Sequence, residues 1–112
     1  MKISDAVRLL SALSQESRLE VFRLLVKAGP DGLAAGEIAR KLKVAANTLS
    51  AQLLILSQAG LVRARRAGRS IIYAADYAAM GALMGYLTEN CCADGGCDPH
   101  CTPNPRSRTA RP

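Results

Sequence analysis

The segment from Leu42 to Val62 has the clearest helical pattern of apolar residues in the chain. Leu49, Leu53 and Leu56 recur at i, i+4 and i+7, which places one apolar stripe on a helix. Gly60 can end that helix, because a residue without a Cβ readily takes the left-handed conformation found at helix C-termini. Short polar side chains cluster near the start of the same helix. An ordinary amphipathic surface helix is the alternative interpretation of this segment taken alone.

Two further helices are predicted before residue 30. Ser4 can cap a first helix whose apolar edge includes Val7 and Leu10. Ser14 is the capping candidate for a second helix, which ends at a turn rich in Gly and Pro at residues 29–32. The apolar stripe of the second helix consists of Leu19, Phe22, Leu25 and Val26.

A short helix is predicted from Ala35 to Lys43, immediately before the helix described first. The connection from Leu42 to Asn47 is too short for anything but two helices that cross at a steep angle, which is the geometry of a helix-turn-helix. The second helix of such a motif enters the major groove of DNA, where short polar side chains can contact base edges. The predicted base-reading positions are Asn47, Thr48, Ser50, Ala51 and Gln52.

Two strands are predicted after this helix, from Leu61 to Arg66 and from Arg69 to Ala74, with Ala67 and Gly68 as a two-residue hairpin turn. Apolar and basic side chains alternate along the first strand, so one face is apolar and the other cationic. Arginines near the tip of such a hairpin suit contacts with phosphates or the minor groove. The helix-turn-helix and the basic hairpin together predict a winged helix. The predicted wing contacts are Arg65, Arg66 and Arg69.

A last helix is predicted from Asp76 to about Asn90, with an apolar stripe spaced 3, 4 and 3 residues apart. This is the a/d pattern of a seam between helices, although such a stripe also suits an ordinary core. Because the earlier helices already supply a core, we expect a homodimer interface, which also fits paired recognition of DNA. The predicted interface residues are Val7 and Leu10 of the first helix and Tyr77, Met80, Met84 and Leu87 of the last.

Charge and length narrow the class of protein. The 112-residue chain has a net charge of +6, and residues 38–75 contain seven basic residues and no Asp or Glu. A polyanion partner, double-stranded DNA, explains this distribution. A solvated basic face is the alternative, and the chain would then be a small metal-binding protein that does not bind DNA. The longest aliphatic run is far too short to span a bilayer, so no membrane partner and a cytoplasmic location are expected. An enzyme is not expected, because no nucleophile has an orienting partner.

The cysteines form a local cluster rather than a framework for the whole fold. Three thiolates from Cys91, Cys92 and Cys97 fit a trivalent arsenic or antimony centre, since soft ligands select thiophilic ions. A fourth ligand, Cys101 or His100, would instead suit tetrahedral zinc. Thiols prone to disulfide formation are the remaining alternative. We expect an α+β domain over residues 1–90, then an effector segment and a disordered tail over residues 91–112.

Four segments of the chain carry a family resemblance. They are ALSQESRLEVFRLL (Ala12–Leu25), GEIARKL (Gly36–Leu42), NTLSAQLLILSQAGLV (Asn47–Val62) and RRAGRSIIYA (Arg65–Ala74). These segments resemble the ArsR/SmtB family of metal-responsive repressors. The resemblance implies a homodimeric winged helix that binds an operator without effector and leaves when a metal or metalloid binds. This family often has a basic or His residue where the chain has Ala51 and Gln52, and commonly Gly where Lys43 stands.

Two effector sites that are familiar in this family are absent from the sequence. Members that sense through cysteines before the recognition helix would need thiols around Leu33 to Ala39, where this chain reads LAAGEIA. Members that sense zinc on the last helix use Asp and His pairs, and Asp76 to Asn90 contains no His. YLTENCC with a later Cys is instead similar to an atypical arsenite-sensing branch. That similarity implies Cys91, Cys92 and Cys97 as ligands of As(III), with Sb(III) as a second candidate effector.

Overall fold

The computed structural model describes residues 1–95, which form a winged helix-turn-helix of five helices and three strands. The predicted fold class and helix order are confirmed, and one additional short strand precedes the third helix. Along the chain the elements are α1 (Ile3–Leu13), α2 (Glu16–Ala28), β1 (Leu33–Ala34), α3 (Ala35–Leu42), α4 (Ala46–Ala59), β2 (Val62–Ala67), β3 (Ser70–Ala75) and α5 (Tyr77–Thr88).

The core is built around α4, as the apolar stripe predicted. Leu49, Leu53 and Leu56 are fully buried and face α1, α2 and α3. Complete burial of each such side chain contributes about 1.5–3 kcal/mol relative to exposure. Three further side chains from other segments complete the most deeply buried set, namely Leu25, Ile38 and Leu61.

Within residues 1–95 no helix is long and apolar enough to cross a bilayer.

The first strand was missed by the sequence analysis, because two residues are too few for an alternating pattern. β1 pairs antiparallel with β3, with Leu33 opposite Tyr73 and Ala34 opposite Ile72, and the sheet has the order β1-β3-β2. Gly32, just before β1, has φ +74°, and a Cβ at this position would overlap the carbonyl oxygen of Tyr73. The close approach of the two strands therefore requires glycine.

The wing hairpin is displaced by one residue from the predicted register. Ala67 pairs with Ser70, so Gly68 and Arg69 form the two-residue loop instead of Ala67 and Gly68. Gly68 has φ +63°, and glycine at the first loop position is a preference of tight hairpin turns. Leu61 lies outside the strand, because its N–H group donates to the Leu56 carbonyl and closes the last turn of α4.

The predicted serine cap of the first helix is wrong. Helix α1 begins at Ile3, so Ser4 lies inside its first turn. The Asp5 carboxylate instead accepts the Lys2 backbone N–H at 3.1 Å and pairs with Arg8 at 3.2 Å. These contacts lower the pKa of Asp5 from its ordinary value of 3.8, the Lys2 N–H being the larger cause. The contribution of this cap to stability is therefore present above that value and is lost as the pH falls through the lowered pKa.

The second predicted serine cap is also wrong. Ser14 ends α1, and Gln15 caps α2 by accepting the Arg18 backbone N–H at 3.0 Å. The start of α3 has a different acceptor, because the Glu37 carboxylate accepts the Ala34 N–H at 3.2 Å. Both contacts satisfy backbone donors that a helix leaves without intrahelical partners.

Candidate functional site

The turn of the helix-turn-helix is made by a lysine in a conformation usually taken by glycine. Lys43 has φ 57° and ψ 47°, in the left-handed region, and its N–H group bonds to the Ala39 carbonyl. The N–H group of Val44 donates to the same Ala39 oxygen at 3.1 Å. This arrangement reverses the chain within three residues and places α4 across α3. The helix-turn-helix crossing expected from the short connection is therefore present.

The predicted base-reading positions occupy the N-terminal half of α4. The Asn47 side-chain oxygen accepts the Thr48 backbone N–H at 2.9 Å, which orders the first turn. Gln52 differs from the others because it is half-buried and its side-chain oxygen accepts a hydrogen bond from Arg18 of α2 at 3.3 Å. Arg18 is not predicted from the sequence, since no local pattern links residues 34 positions apart. The exposed members of the set are Asn47, Thr48, Ser50 and Ala51.

The wing carries a cationic surface beyond the core. Arg65, Arg66 and Arg69 are all exposed, and Arg69 lies in the loop itself. Arg65 donates to the backbone carbonyl of Asp31 at 3.2 Å, which ties the wing to the turn that follows α2. The predicted alternation of β2 holds only at its base, where Val62 is buried, because the rest of the strand projects past the core.

A fourth arginine of the wing, not singled out from the sequence, connects it to α5. Arg63 pairs with Asp76 at 3.2 Å, and Asp76 also caps α5 by accepting the Ala79 N–H at 3.0 Å. The backbone N–H of Asp76 donates to the Leu61 carbonyl at 2.8 Å. The start of α5 is therefore held to Leu61, which precedes β2, and to Arg63, which lies within β2.

Several apolar side chains of α1 and α5 lie in solvent in the single chain. Tyr77, predicted at the interface, is half-buried and donates from its hydroxyl to the Leu25 and Val26 carbonyls at 3.3 and 2.9 Å. An apolar groove of about 610 Å³ runs between α2 and α5, and Met80 and Met84 line its α5 side. The exposed apolar residues of the two helices are Ile3, Val7, Leu10, Met84 and Leu87, with exposed fractions between 41% and 71%.

The chain forms consecutive turns just after α5, where two adjacent cysteines lie. Asn90 and Cys92 have φ of 60° and 64°, both left-handed, and the sulfurs of Cys91 and Cys92 lie 3.6 Å apart. Within residues 1–95 no three His, Cys, Asp or Glu side chains gather as a metal site. Cys97, Cys101 and His100, which the sequence analysis also considered, lie outside the described residues.

The crossed helices, the exposed polar start of α4 and the arginine-bearing hairpin define a winged helix-turn-helix DNA-binding protein. Residues 13–65 match a family model described as a helix-turn-helix domain. The chain is similar to the uncharacterized HTH-type transcriptional regulator YbzH of Bacillus subtilis (strain 168). The two are 33% identical, over 74% of this chain and 95% of the relative.

Two solved structures extend the comparison. An ArsR-like transcriptional regulator from Rhodococcus sp. RHA1 is 27% identical, with a TM-score of 0.69 over 82% of this chain and 83% of that one. The homodimeric winged helix-turn-helix domain of Mb0332 from Mycobacterium bovis is 31% identical, with a TM-score of 0.62 over 79% and 82%. It is described as a possible ArsR-family regulator. The chain therefore belongs to the HTH-type transcriptional regulators, and the two solved structures similar to it are described as ArsR-like or as a possible ArsR-family regulator.

Proposed function

We propose that this regulator is a repressor that binds operator DNA as a homodimer and is released when trivalent arsenic binds Cys91, Cys92 and Cys97. The observation that carries the effector part is the 3.6 Å separation of the Cys91 and Cys92 sulfurs at the end of α5. Antimony in the same oxidation state is a second effector with the same ligand preference.

The separation of the two sulfurs suits a single thiophilic ion. Two thiolates on one tetrahedral zinc, at about 2.3 Å per bond, are roughly 3.8 Å apart, so the pair already has the spacing of ligands that share an ion. A third thiol is available nearby in sequence. Cys97 is five positions after Cys92, so it lies within about 18 Å of the pair even along a fully extended chain and is close enough in sequence to supply the third ligand.

The exposed apolar surface of α1 and α5 supports the homodimer. An apolar stripe that extends over two helices of a small domain is typical of a surface covered by a partner. The homodimeric solved relative described above shares the fold and supports the same assembly. A twofold dimer would present two α4 helices to successive major grooves of a palindromic operator.

The location of the thiol pair suggests how effector binding reaches DNA. The pair follows the C-terminus of α5, while Asp76 at its N-terminus contacts Arg63 of the wing. An ion that orders the end of α5 would change how the two subunits pack and therefore how their recognition helices are spaced. Release requires that the effector favour the non-binding dimer by a coupling energy of about 1–3 kcal/mol or more.

A mobility shift tests the proposal, with DNA from upstream of the protein's own coding region and arsenite, antimonite, zinc or peroxide added separately. We expect arsenite to release the wild-type protein and to leave Cys92→Ser bound. Ala93→Ser is the matched control, because it introduces serine beside the pair without removing a thiol, and it should respond like the wild type.

Each other outcome has a defined meaning. A Cys92→Ser protein that still responds fully to arsenite refutes the ligand assignment. Release by peroxide alone, reversed by a thiol reductant, favours a disulfide switch, and release by zinc alone favours a zinc sensor of the same fold. Retention of the complex under all four agents refutes release by any of them.

A further inference from the structure

Leu54 is a large apolar side chain that lies in solvent on the recognition helix, with 57% of its surface exposed. Asn47 and Ala51 lie on the same face of α4 and are also exposed. These three residues repeat the i, i+4, i+7 spacing of the buried leucine stripe of α4, counted from two residues earlier. Because two residues turn an α-helix by about 200°, they lie on the face opposite the core.

This outer face is the one that a recognition helix presents to DNA. Side chains at positions i, i+3, i+4 and i+7 of such a helix can all reach base edges in one major groove. On α4 these positions are Asn47, Ser50, Ala51 and Leu54, and each of them is exposed. Leu54 therefore completes a set whose other members are predicted base-reading residues.

The next residue along the helix, Ile55, is also apolar but has a different environment. It is 38% exposed and lines a groove together with Ser11 and Ala12 of α1. Ile55 thus lies on the α1 side of the outer face, and Leu54 lies about 100° around the helix from it. The two side chains can therefore be compared as neighbours of similar size on different sides of one helix.

We propose that Leu54 is a specificity-determining residue that contacts the 5-methyl group of a thymine in each half of the operator. This inference rests on the proposed binding of operator DNA by α4 and adds an apolar base contact to it. The 5-methyl group of thymine is the apolar group that the base pairs present in the major groove. A leucine that enters the groove therefore buries its surface best against that methyl group.

The composition of α4 also favours an A·T base pair at this contact. From Ala46 to Ala59 the helix contains no charged residue. It therefore lacks the Arg or Lys that most often reads guanine and the Asp or Glu that accepts from cytosine. The side chains that it offers are amides, hydroxyls and apolar groups. Amides commonly pair with adenine, and apolar groups contact the thymine methyl of the same kind of base pair.

Uracil substitution tests the contact, because uracil is thymine without the 5-methyl group and keeps the same hydrogen-bonding groups. Preferred sites of the full-length wild-type protein are selected from a randomised duplex pool, and each thymine of one half-site is then replaced in turn by uracil. We expect one position at which the replacement weakens binding about fourfold, the factor that corresponds to burial of one methyl group. In Leu54→Ala the same replacement should change the affinity by less than about 1.5-fold, because most of the apolar contact is gone.

Two further variants separate the methyl contact from general damage to the helix. Ile55→Ala is the matched control, since it truncates the adjacent apolar side chain, and it should keep the fourfold effect of uracil. Leu54→Met keeps an apolar side chain of similar volume and should also retain the effect. Each variant is compared with itself on two duplexes that differ by one methyl group, so a loss of folded protein or of dimer affects both measurements equally.

Other results overturn the inference. An undiminished effect of uracil in Leu54→Ala would show that Leu54 is an ordinary surface leucine. Loss of the effect in Ile55→Ala as well would attribute it to docking of the whole helix instead of to Leu54. Sequence-selective binding without any uracil-sensitive position refutes this inference alone. Absence of any selected site for the wild type refutes the DNA-binding proposal, and this inference with it.

Discussion

Gly32 is the residue at which backbone conformation most directly limits what the chain can accept. Its φ of +74° is unfavourable for any residue with a side chain, and the Tyr73 carbonyl occupies the space that a Cβ would need. Gly60 also has a positive φ, of +88°, but no atom lies within 4 Å of its Cβ position. A comparison of alanine substitutions at Gly32 and Gly60 therefore separates the cost of backbone strain from the cost of steric overlap.

We expect Gly32→Ala to lower the free energy of unfolding by more than about 2 kcal/mol, because conformational strain and overlap add. Gly60→Ala is the control and should cost only about 1–2 kcal/mol. Urea unfolding at matched protein concentrations measures both. Equal losses would mean that the sheet shifts to relieve the overlap without cost.

Asp76 has two separable roles, as cap of α5 and as partner of Arg63. Asp76→Ala should cost about 1 kcal/mol of stability through loss of the bond to the Ala79 N–H. Asp76→Asn keeps an acceptor oxygen for that bond and should cost less than about 0.5 kcal/mol, because the Arg63 side chain of the ion pair is largely exposed to solvent. Chemical denaturation tests this, and a loss in Asp76→Asn equal to that in Asp76→Ala would make the ion pair the dominant contact.

At the scale of elements, α5 connects the two surfaces on which the proposed function depends. Its first residues are held to the wing segment, its apolar side chains reach solvent, and the thiol pair follows its last turn. Tyr77 anchors the helix to its own α2, so the free part of the stripe is the C-terminal half. The interface should therefore be most sensitive to changes near Met84 and Leu87.

We expect Met84→Glu to weaken homodimerisation by about 2 kcal/mol or more, roughly thirtyfold in Kd, because it introduces a charge at a buried contact. Ile71→Glu is the matched control, since Ile71 is an exposed apolar residue of β3, at 43%, outside the stripe. Sedimentation velocity over a range of concentrations reports the association. If the two variants dimerise with equal affinity, α5 does not form part of the interface.

At the scale of the whole molecule, charge placement should govern binding to DNA. The helix-turn-helix and wing contribute basic residues with no acidic neighbours between residues 38 and 75. If each subunit neutralises about four phosphates, the dimer neutralises about eight. Because counterions are then released, the logarithm of the binding constant should fall with the logarithm of the salt concentration with a slope near about −7. Binding is therefore expected to weaken steeply between low and physiological salt.

Arg66→Ala should make the salt slope shallower by about 2, because a dimer loses two phosphate contacts. Lys27→Ala, which removes an exposed charge from α2, is the control and should leave the slope unchanged. Fluorescence anisotropy with a labelled operator, measured across a salt series, gives both values. An unchanged slope in Arg66→Ala would place that side chain away from the DNA backbone.

The sequence by itself determined the five helices, the wing hairpin and the class of fold. The spacing of Leu49, Leu53 and Leu56 predicted the central helix, and Gly60 predicted its end, because burial of one helical face imposes a periodicity that neighbouring residues reveal. The short connection from Leu42 to Asn47 likewise predicted the crossing of α3 and α4. The capping residues were less predictable, since Asp5 and Gln15 both act from positions adjacent to plausible serines.

Only the tertiary structure decided which distant groups meet. The pairing of β1 with β3, the hydrogen bond from Arg18 to Gln52 and the ion pair of Arg63 with Asp76 join segments that no local periodicity connects. These contacts depend on packing of the whole core, which sets distances between elements, whereas periodicity sets only which face of each element is buried.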